Sequence, residues 1–254
     1  MRFRVLGCAG SIADNRHTTS FLVDDDILID AGTGLGTLPL EALGGIDHVF
    51  LSHSHMDHVA LLPMLVDSTL SLRRNPIVVH GIERTLKVLS AHVFNWKVSP
   101  DFREIRVQDH PAVRFSVVEP MTPVAVGGRS LTAIPVVHSV PTVAYHLGSG
   151  NGSLVVATDM TVSDAFWPAV NAIADLRYLL IETAFQDARL DLCRVSGHLC
   201  PALLEKELRR LERPAEIFIV HMKPSAATRI RREIAALDLG REICFLADGD
   251  VLEL

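Results

Sequence analysis

The chain has 254 residues, 48% apolar and 21% charged, which excludes a disordered protein and is long enough to bury a full core without disulfides. Mean hydropathy is +0.28, but no run approaches the roughly 18 apolar residues of a membrane span. The formal charge of −6 argues against a long nucleic acid as partner, whereas 12 histidines concentrate groups that titrate near neutrality and ligate metals.

In chain order, Met1–Leu6 runs straight into a strand without the apolar core of a secretory signal. The cysteines Cys8, Cys193, Cys200 and Cys244 are scattered, with no CxxC pair, so reduced thiols and a cytoplasmic location are expected. Thr19–Val23 and Ile27–Asp30 read as strands joined by a turn at Asp24-Asp25-Asp26, and Asp47–Leu51 as a third strand. Val59–Leu72 reads as a helix with Leu62, Leu65 and Val66 on one face and Pro63 in its first turn. The strand Ile77–Val79, the helix Arg84–Phe94 and a β-rich stretch (Glu104–Val107, Val113–Val118, Leu131–Val137) follow. Tyr145–Leu147 and Ser153–Ala157 flank the hairpin signal Gly150-Asn151-Gly152. The second half alternates more regularly. A helix at Ser163–Ala174 leads to the strand Tyr178–Glu182, then a helix at Pro201–Leu211 and the strand Glu216–Val220. A last helix, capped by Ser225, precedes the strands Ile243–Leu246 and Val251–Leu254. Each half is strand-rich first and helix-decorated later. The expected fold is one α/β domain over residues 1–254, a four-layered sandwich of two facing sheets with helices outside.

After the strand Asp47–Leu51 comes His53-Ser54-His55-Met56-Asp57-His58. An HxHxDH arises by chance in roughly 2 of 1,000 chains of this composition. His53 and His55 are two apart, so in extended backbone they project to the same side and can share one cation. Asp57 and His58 enter the next helix and point elsewhere, which suits a second cation. Four such donors within six residues would be costly to bury without one.

This motif, with Asp30 upstream in Leu28-Ile29-Asp30-Ala31-Gly32, resembles the metallo-β-lactamase superfamily, whose fold is an αβ/βα sandwich with metals at one edge of the sheets. The resemblance implies the remaining ligands one by one. His138 in Ile134-Pro135-Val136-Val137-His138 fits the histidine ending a strand. Asp159 in Val156-Ala157-Thr158-Asp159 fits the bridging aspartate, although Thr158 stands where glycine is usual. His221 in Phe218-Ile219-Val220-His221 fits the last histidine. One metal would then take His53, His55 and His138, the other Asp57, His58 and His221, with Asp159 between them. Nitrogen and oxygen donors without cysteine suit Zn²⁺, with Mn²⁺ or Fe²⁺ as alternatives.

Further segments narrow the chemistry. Glu182 in Ile181-Glu182-Thr183-Ala184-Phe185, followed by Gly197-His198-Leu199-Cys200-Pro201, resembles the pairing of the phosphodiesterase branch, where the histidine faces the scissile phosphate. His221-Met222-Lys223-Pro224 and the segment from His92 to Phe102 resemble class II cyclic-nucleotide phosphodiesterases, with Ser99 rather than tryptophan before Pro100-Asp101-Phe102. The resemblance implies hydrolysis of a 3′,5′-cyclic nucleotide such as cyclic AMP by a hydroxide held between two divalent cations about 3.5–4 Å apart. His198, oriented by Glu182, would be the general acid, and Asp57 joins them in the catalytic set besides its ligand role. Asp30 is a candidate acceptor for a ligand imidazole N–H. Lys223 could contact phosphate or lie in solvent. Phe94, Trp96 and Phe102 could line a base pocket or belong to the core. The partner expected is a small phosphodiester, with neither membrane nor nucleic acid, and the resemblance suggests a homodimer. Rivals are a tRNA 3′-end nuclease, a thioester or lactone hydrolase, and a non-catalytic metal-binding sensor. His17, His48, His80, His92, His110 and His146 have no task in this scheme.

Overall fold

In the computed structural model, which describes residues 1–254, the long strands pair into two seven-stranded sheets, one in each of two compact units. Unit 1 comprises residues 1–7, 17–119 and 248–253. Its sheet runs in the order Val251–Glu253, Arg2–Gly7, Ser20–Val23, Ile27–Ile29, His48–Phe50, Ile77–Gly81 and Val113–Val117. The first four strands pair antiparallel, and from Ile27–Ile29 onwards pairing is parallel. The turn at Asp24-Asp25-Asp26 is present, with Asp24 at φ +50°, a conformation that aspartate tolerates better than most residues. The strands are buried runs of Val, Ile and Leu, the composition a parallel sheet demands, and Leu62, Leu65 and Val66 pack against them.

Unit 2 comprises residues 8–16, 120–247 and 254. Its sheet order is Ile243–Phe245, Glu216–Val220, Leu176–Glu182, Ser153–Ala157, Thr142–Gly148, Arg129–Val136 and Pro123–Val126. Here the first four strands are parallel and the rest antiparallel. Leu179, Ile181, Ile217 and Ile219 are buried in one core with Leu204 and Leu208 of the helix Pro201–Leu208 and Ile230 and Ile234 of the helix Ala227–Ala235. Each such side chain contributes about 1.5–3 kcal/mol by leaving water.

Several boundaries differ from expectation. The helix read at Val59–Leu72 is three pieces, Met56–Val59, Leu62–Thr69 and a 3₁₀ turn at Leu70–Leu72, with Pro63 in the first turn of the second, where its missing N–H costs no bond. The helix expected at Ser163–Ala174 is only Phe166–Asn171, which keeps Pro168 within its first turn. Ser225 does not cap the last helix: Pro224 starts a 3₁₀ turn at Pro224–Ala226 that leads into it. Glu104–Val107 yields only the two-residue strand Arg106–Val107, paired with His110–Pro111. A helix at Leu190–Ser196 has no counterpart in the sequence reading. No helix is long and apolar enough to cross a membrane.

The topology sets where chemistry can occur. Parallel strands carry their C-terminal ends on one edge of a sheet, the customary place for ligand sites in α/β folds. In unit 1 that edge carries Asp30 after Ile29 and the histidine motif after Phe50, and Ile29 and Phe50 are register partners. In unit 2 it carries Asp159 two residues beyond Ala157, then Glu182 at a strand end and His221 after Val220; the register pairs Ala157 with Ile181 and Glu182 with Val220. Two antiparallel steps restore direction, so Arg129–Val136 delivers His138 to that same edge.

Candidate functional site

In unit 1 the site is organised by one buried carboxylate. Asp30 leaves its strand at φ +56° and is fully buried. Such a conformation costs of order 1–3 kcal/mol in a non-glycine residue, and the surrounding bonds hold it. Its Oδ1 accepts the Ser52 N–H at 2.8 Å, and its Oδ2 accepts the Ser52 hydroxyl and the His58 Nδ1–H, both at 2.7 Å. Because the Ser52 hydroxyl has one proton and gives it to Asp30, at 3.0 Å from His53 Nδ1 it can only accept. The network thus assigns the Nδ1–H tautomer to both His53 and His58, and both rings present an Nε2 lone pair. The rings lie together: His53 and His58 centroids are 4.2 Å apart, and His53 and His55 4.6 Å, as expected for residues two apart in extended chain. Asp57 Oδ2 is 3.8 Å from His58 Nε2. The helix carrying Asp57 is tied to the strand end by Ala31 N–H donating to the His58 carbonyl and Leu61 N–H to the Ala31 carbonyl. Gly32 permits this approach, since a Cβ there would sit 2.2 Å from the Asp57 carbonyl oxygen.

Unit 2 assembles its part from distant segments. His138 Nδ1 donates to the Gly197 carbonyl at 2.8 Å, so its Nε2 also presents a lone pair, 3.5 Å from Asp159 Oδ2. Gly197 ends the helix Leu190–Ser196 at φ +73°, and a Cβ there would meet the Ser139 nitrogen at 2.7 Å. His221 sits at φ +61°, with its N–H donating to the Cys8 carbonyl and its ring Nδ1 3.2 Å from Asp159 Oδ1. Gly10 packs so closely that a Cβ would lie 2.5 Å from the His221 carbonyl oxygen and 2.9 Å from its ring. Asp159, His198 and His221 bring one ligand atom each within 4.8 Å of one another.

Glu182 governs His198. Its Oε1 accepts His198 Nδ1–H at 2.7 Å and Met160 N–H at 3.0 Å, and its Oε2 accepts Ala184 N–H at 3.0 Å and Leu199 N–H at 3.2 Å. Burial pushes the Glu182 carboxyl up, but four donors and no acceptor face it, the environment of an ionised carboxylate. Burial alone would lower the His198 pKa; the Glu182 charge and hydrogen bond, with the Asp159 charge, outweigh it and raise it above the ordinary imidazole value. Protonated, His198 would spend Nδ1–H on Glu182 and have Nε2–H to give.

Every expected ligand lies in one of these two groups: His53, His55, Asp57 and His58 in unit 1, His138, Asp159 and His221 in unit 2. The donor chemistry fits divalent cations. Three imidazoles have their Nδ1–H pinned so that Nε2 can ligate, and the two carboxylates Asp57 and Asp159 supply hard oxygen. The aromatic trio separates. Phe94 and Phe102 are core residues of unit 1, whereas Trp96 is 59% exposed and donates its Nε1–H to Glu104. Lys223 is not simply solvated; its Nζ donates to the Gly10 carbonyl. Sequence reasoning missed Ser52, the Gly197 carbonyl and Gly10. Of these only Gly197, a glycine placed as a helix stop before His198, carried a local signal.

The family model for the Beta-lactamase superfamily domain matches residues 25–235. The chain is 25% identical to the probable 3′,5′-cyclic-nucleotide phosphodiesterase of Yersinia pestis, over 96% of this chain and 87% of that one. It is 29% identical to the ribonuclease Z of Parabacteroides distasonis, over 56% of this chain and 47% of that protein. Unliganded yeast PDE1 superimposes with a TM-score of 0.83 at 17% identity, covering 100% of this chain and 99% of that one. The fold is accordingly the metallo-β-lactamase fold, and the chain belongs to the metallo-β-lactamase superfamily of hydrolases.

Proposed function

We propose that the chain is a binuclear-metal phosphodiesterase acting on a 3′,5′-cyclic nucleotide such as cyclic AMP. His53, His55 and His138 would hold one divalent cation and Asp57, His58 and His221 the other, with Asp159 shared; Zn²⁺ suits this donor set best. Two such cations supply a nucleophile at neutral pH and neutralise charge on the phosphoryl oxygens. The chain's own part is orientation and proton delivery. Asp30 and Ser52 fix two imidazoles and the Gly197 carbonyl fixes a third, and Asp57 would serve as ligand at the reacting centre. Hydrolysis adds water across one P–O ester bond, and the departing ribose oxygen needs a proton. His198 can give it from Nε2 while Glu182 holds Nδ1.

The single observation that carries this reading is the His198–Glu182 pair beside Asp159 and His221, which can protonate a departing ribose oxygen, whereas a thioester's thiolate leaves without such a donor. The relatives named 3′,5′-cyclic-nucleotide phosphodiesterase support it. Ribonuclease Z relatives favour RNA 3′-end processing as the second reading. A panel of bis(p-nitrophenyl) phosphate, cyclic AMP, a precursor tRNA, a thioester and a lactone, given to protein of measured metal content, separates them. The expected result is diester and cyclic AMP hydrolysis, abolished by chelation. Activity on the generic diester without cyclic AMP would remove the cyclic-nucleotide assignment, and cleavage of precursor tRNA alone would favour the second reading.

A further inference from the structure

A cleft in unit 2 adjoins His198 without containing any of the expected ligands. It has a volume of about 510 Å³ and is lined by Ser11, Phe185, Gln186, Arg189, Lys223 and Ser225 among others. Gln186 and Ser225 also line a second hollow of about 700 Å³, walled by Arg229 and Arg232 of the helix Ala227–Ala235, so the two adjoin as a groove in two parts. Each has the volume of a small-molecule site. The inner end lies at the candidate catalytic group: the Phe185 ring is 5.6 Å from that of His198, and Lys223 is bonded to Gly10, which packs on His221.

The groove's charge opposes that of the molecule. In a chain of net −6, one hollow is lined by Arg189 and Lys223 and the adjoining one by Arg229 and Arg232, against one carboxylate, Glu233. Glu233 is already engaged, accepting Arg229 Nε at 3.2 Å with Oε1 and the Asp187 N–H at 2.9 Å with Oε2. Arg189 and Arg232 have no acidic partner, and a guanidinium is the side chain best shaped for bidentate contact with phosphate. A cyclic mononucleotide carries one phosphate, which the reaction centre itself would hold, so it leaves these cations unmatched.

We infer that the groove is a second phosphate subsite, and that the enzyme also takes short linear nucleotides bearing a terminal phosphate next to the ester that is cut. Arg189 and Arg232 bind the terminal phosphate, and Phe185 offers a ring face to the neighbouring base. The acidic remainder of the surface limits such substrates to a few residues in length.

The inference rests on the phosphodiesterase reading, so the experiment carries a control for it. Metal-loaded protein is given bis(p-nitrophenyl) phosphate and the diadenosine diesters ApA, pApA and ApAp. At least one of the two phosphorylated dinucleotides should exceed ApA at least tenfold in kcat/KM. Independently of turnover, metal-loaded protein titrated by calorimetry should bind adenosine 3′,5′-bisphosphate at least tenfold tighter than adenosine 5′-monophosphate. The R189A/R232A double variant should lose that difference, and R189K/R232K should recover part of it. Equal use of all three dinucleotides, with the generic diester hydrolysed, overturns the subsite and leaves the phosphodiesterase standing. No hydrolysis of the generic diester overturns both, and equal affinity for the mono- and bisphosphate overturns the subsite alone.

Discussion

Asp30 and Glu182 occupy equivalent stations in the two units. Both are fully buried at the C-terminal end of a parallel strand, both accept backbone N–H groups, and both accept an imidazole Nδ1–H at 2.7 Å. They differ in what the imidazole is for. Asp30 directs His58, and through Ser52 also His53, so one carboxylate turns the Nε2 of two imidazoles towards the expected cation positions. Glu182 directs His198, and its charge and hydrogen bond raise the imidazole pKa, as the proposed proton donor requires. The same device, a carboxylate fixing one ring nitrogen, suits a metal ligand where the other nitrogen must be bare and an acid where it must be protonated.

The largest effect that would break this contrast is in catalysis. H198A should lower kcat about 10²–10⁴-fold at unchanged metal stoichiometry, and E182Q should follow in the same direction. Elemental analysis alongside the kinetics decides it; parallel loss of metal would make His198 a ligand. D30A should instead lower metal affinity about 10–100-fold, with rate recovered at high metal concentration. A rate deficit that excess metal leaves untouched would place Asp30 in catalysis rather than in ligand orientation. G197A strains a residue at φ +73° and pushes a Cβ to 2.7 Å from the Ser139 nitrogen. It should cost about 1–3 kcal/mol in urea denaturation, together with weaker metal binding through His138.

The smallest effect concerns an imidazole with no carboxylate at all. His80 stacks on Phe50 at 4.1 Å and meets His48 Nδ1 through its Nε2. Burial first, then the neighbouring His48 and Arg114, lower its pKa to about 4. The unfolded chain therefore takes up this proton first, near the ordinary imidazole value of about 6.5, and its stabilising contribution, complete above that pH, drains as pH falls towards 4. Between pH 7 and 5.5 the loss should be about 1 kcal/mol. Urea midpoints of wild type and H80F across that range measure it; identical pH slopes would show that His80 is protonated in the fold.

What could be read from sequence follows the same division. Unit 1's ligands are contiguous, and their spacing alone encodes a geometry, two same-side histidines and two donors in a helix. Unit 2's residues are individually ordinary. His138, Asp159 and His221 are spread over a span of 83 residues, and only family resemblance picked them out. The partners that orient them were out of reach, because a backbone carbonyl such as that of Gly197 has no signature. The basic groove was equally hidden: Arg189 and Arg232 are 43 positions apart, and net charge pointed the other way. Helix limits failed where proline or a 3₁₀ turn moved the start, as at Pro168 and Pro224.

The pairing of Arg2–Gly7 with Val251–Glu253 has a kinetic meaning. The first sheet's edge is supplied by a segment far downstream of the strand it pairs with, whereas the second unit draws only on the chain up to residue 247 apart from Leu254. During synthesis the strand Arg2–Gly7 must wait, one side unpaired, while the residues up to Val251–Glu253 emerge, which at about 5–20 residues per second is a delay of tens of seconds at the slow end. A ladder closing over so long a separation is entropically slow, and an open strand edge in the interval is where association with another chain would begin.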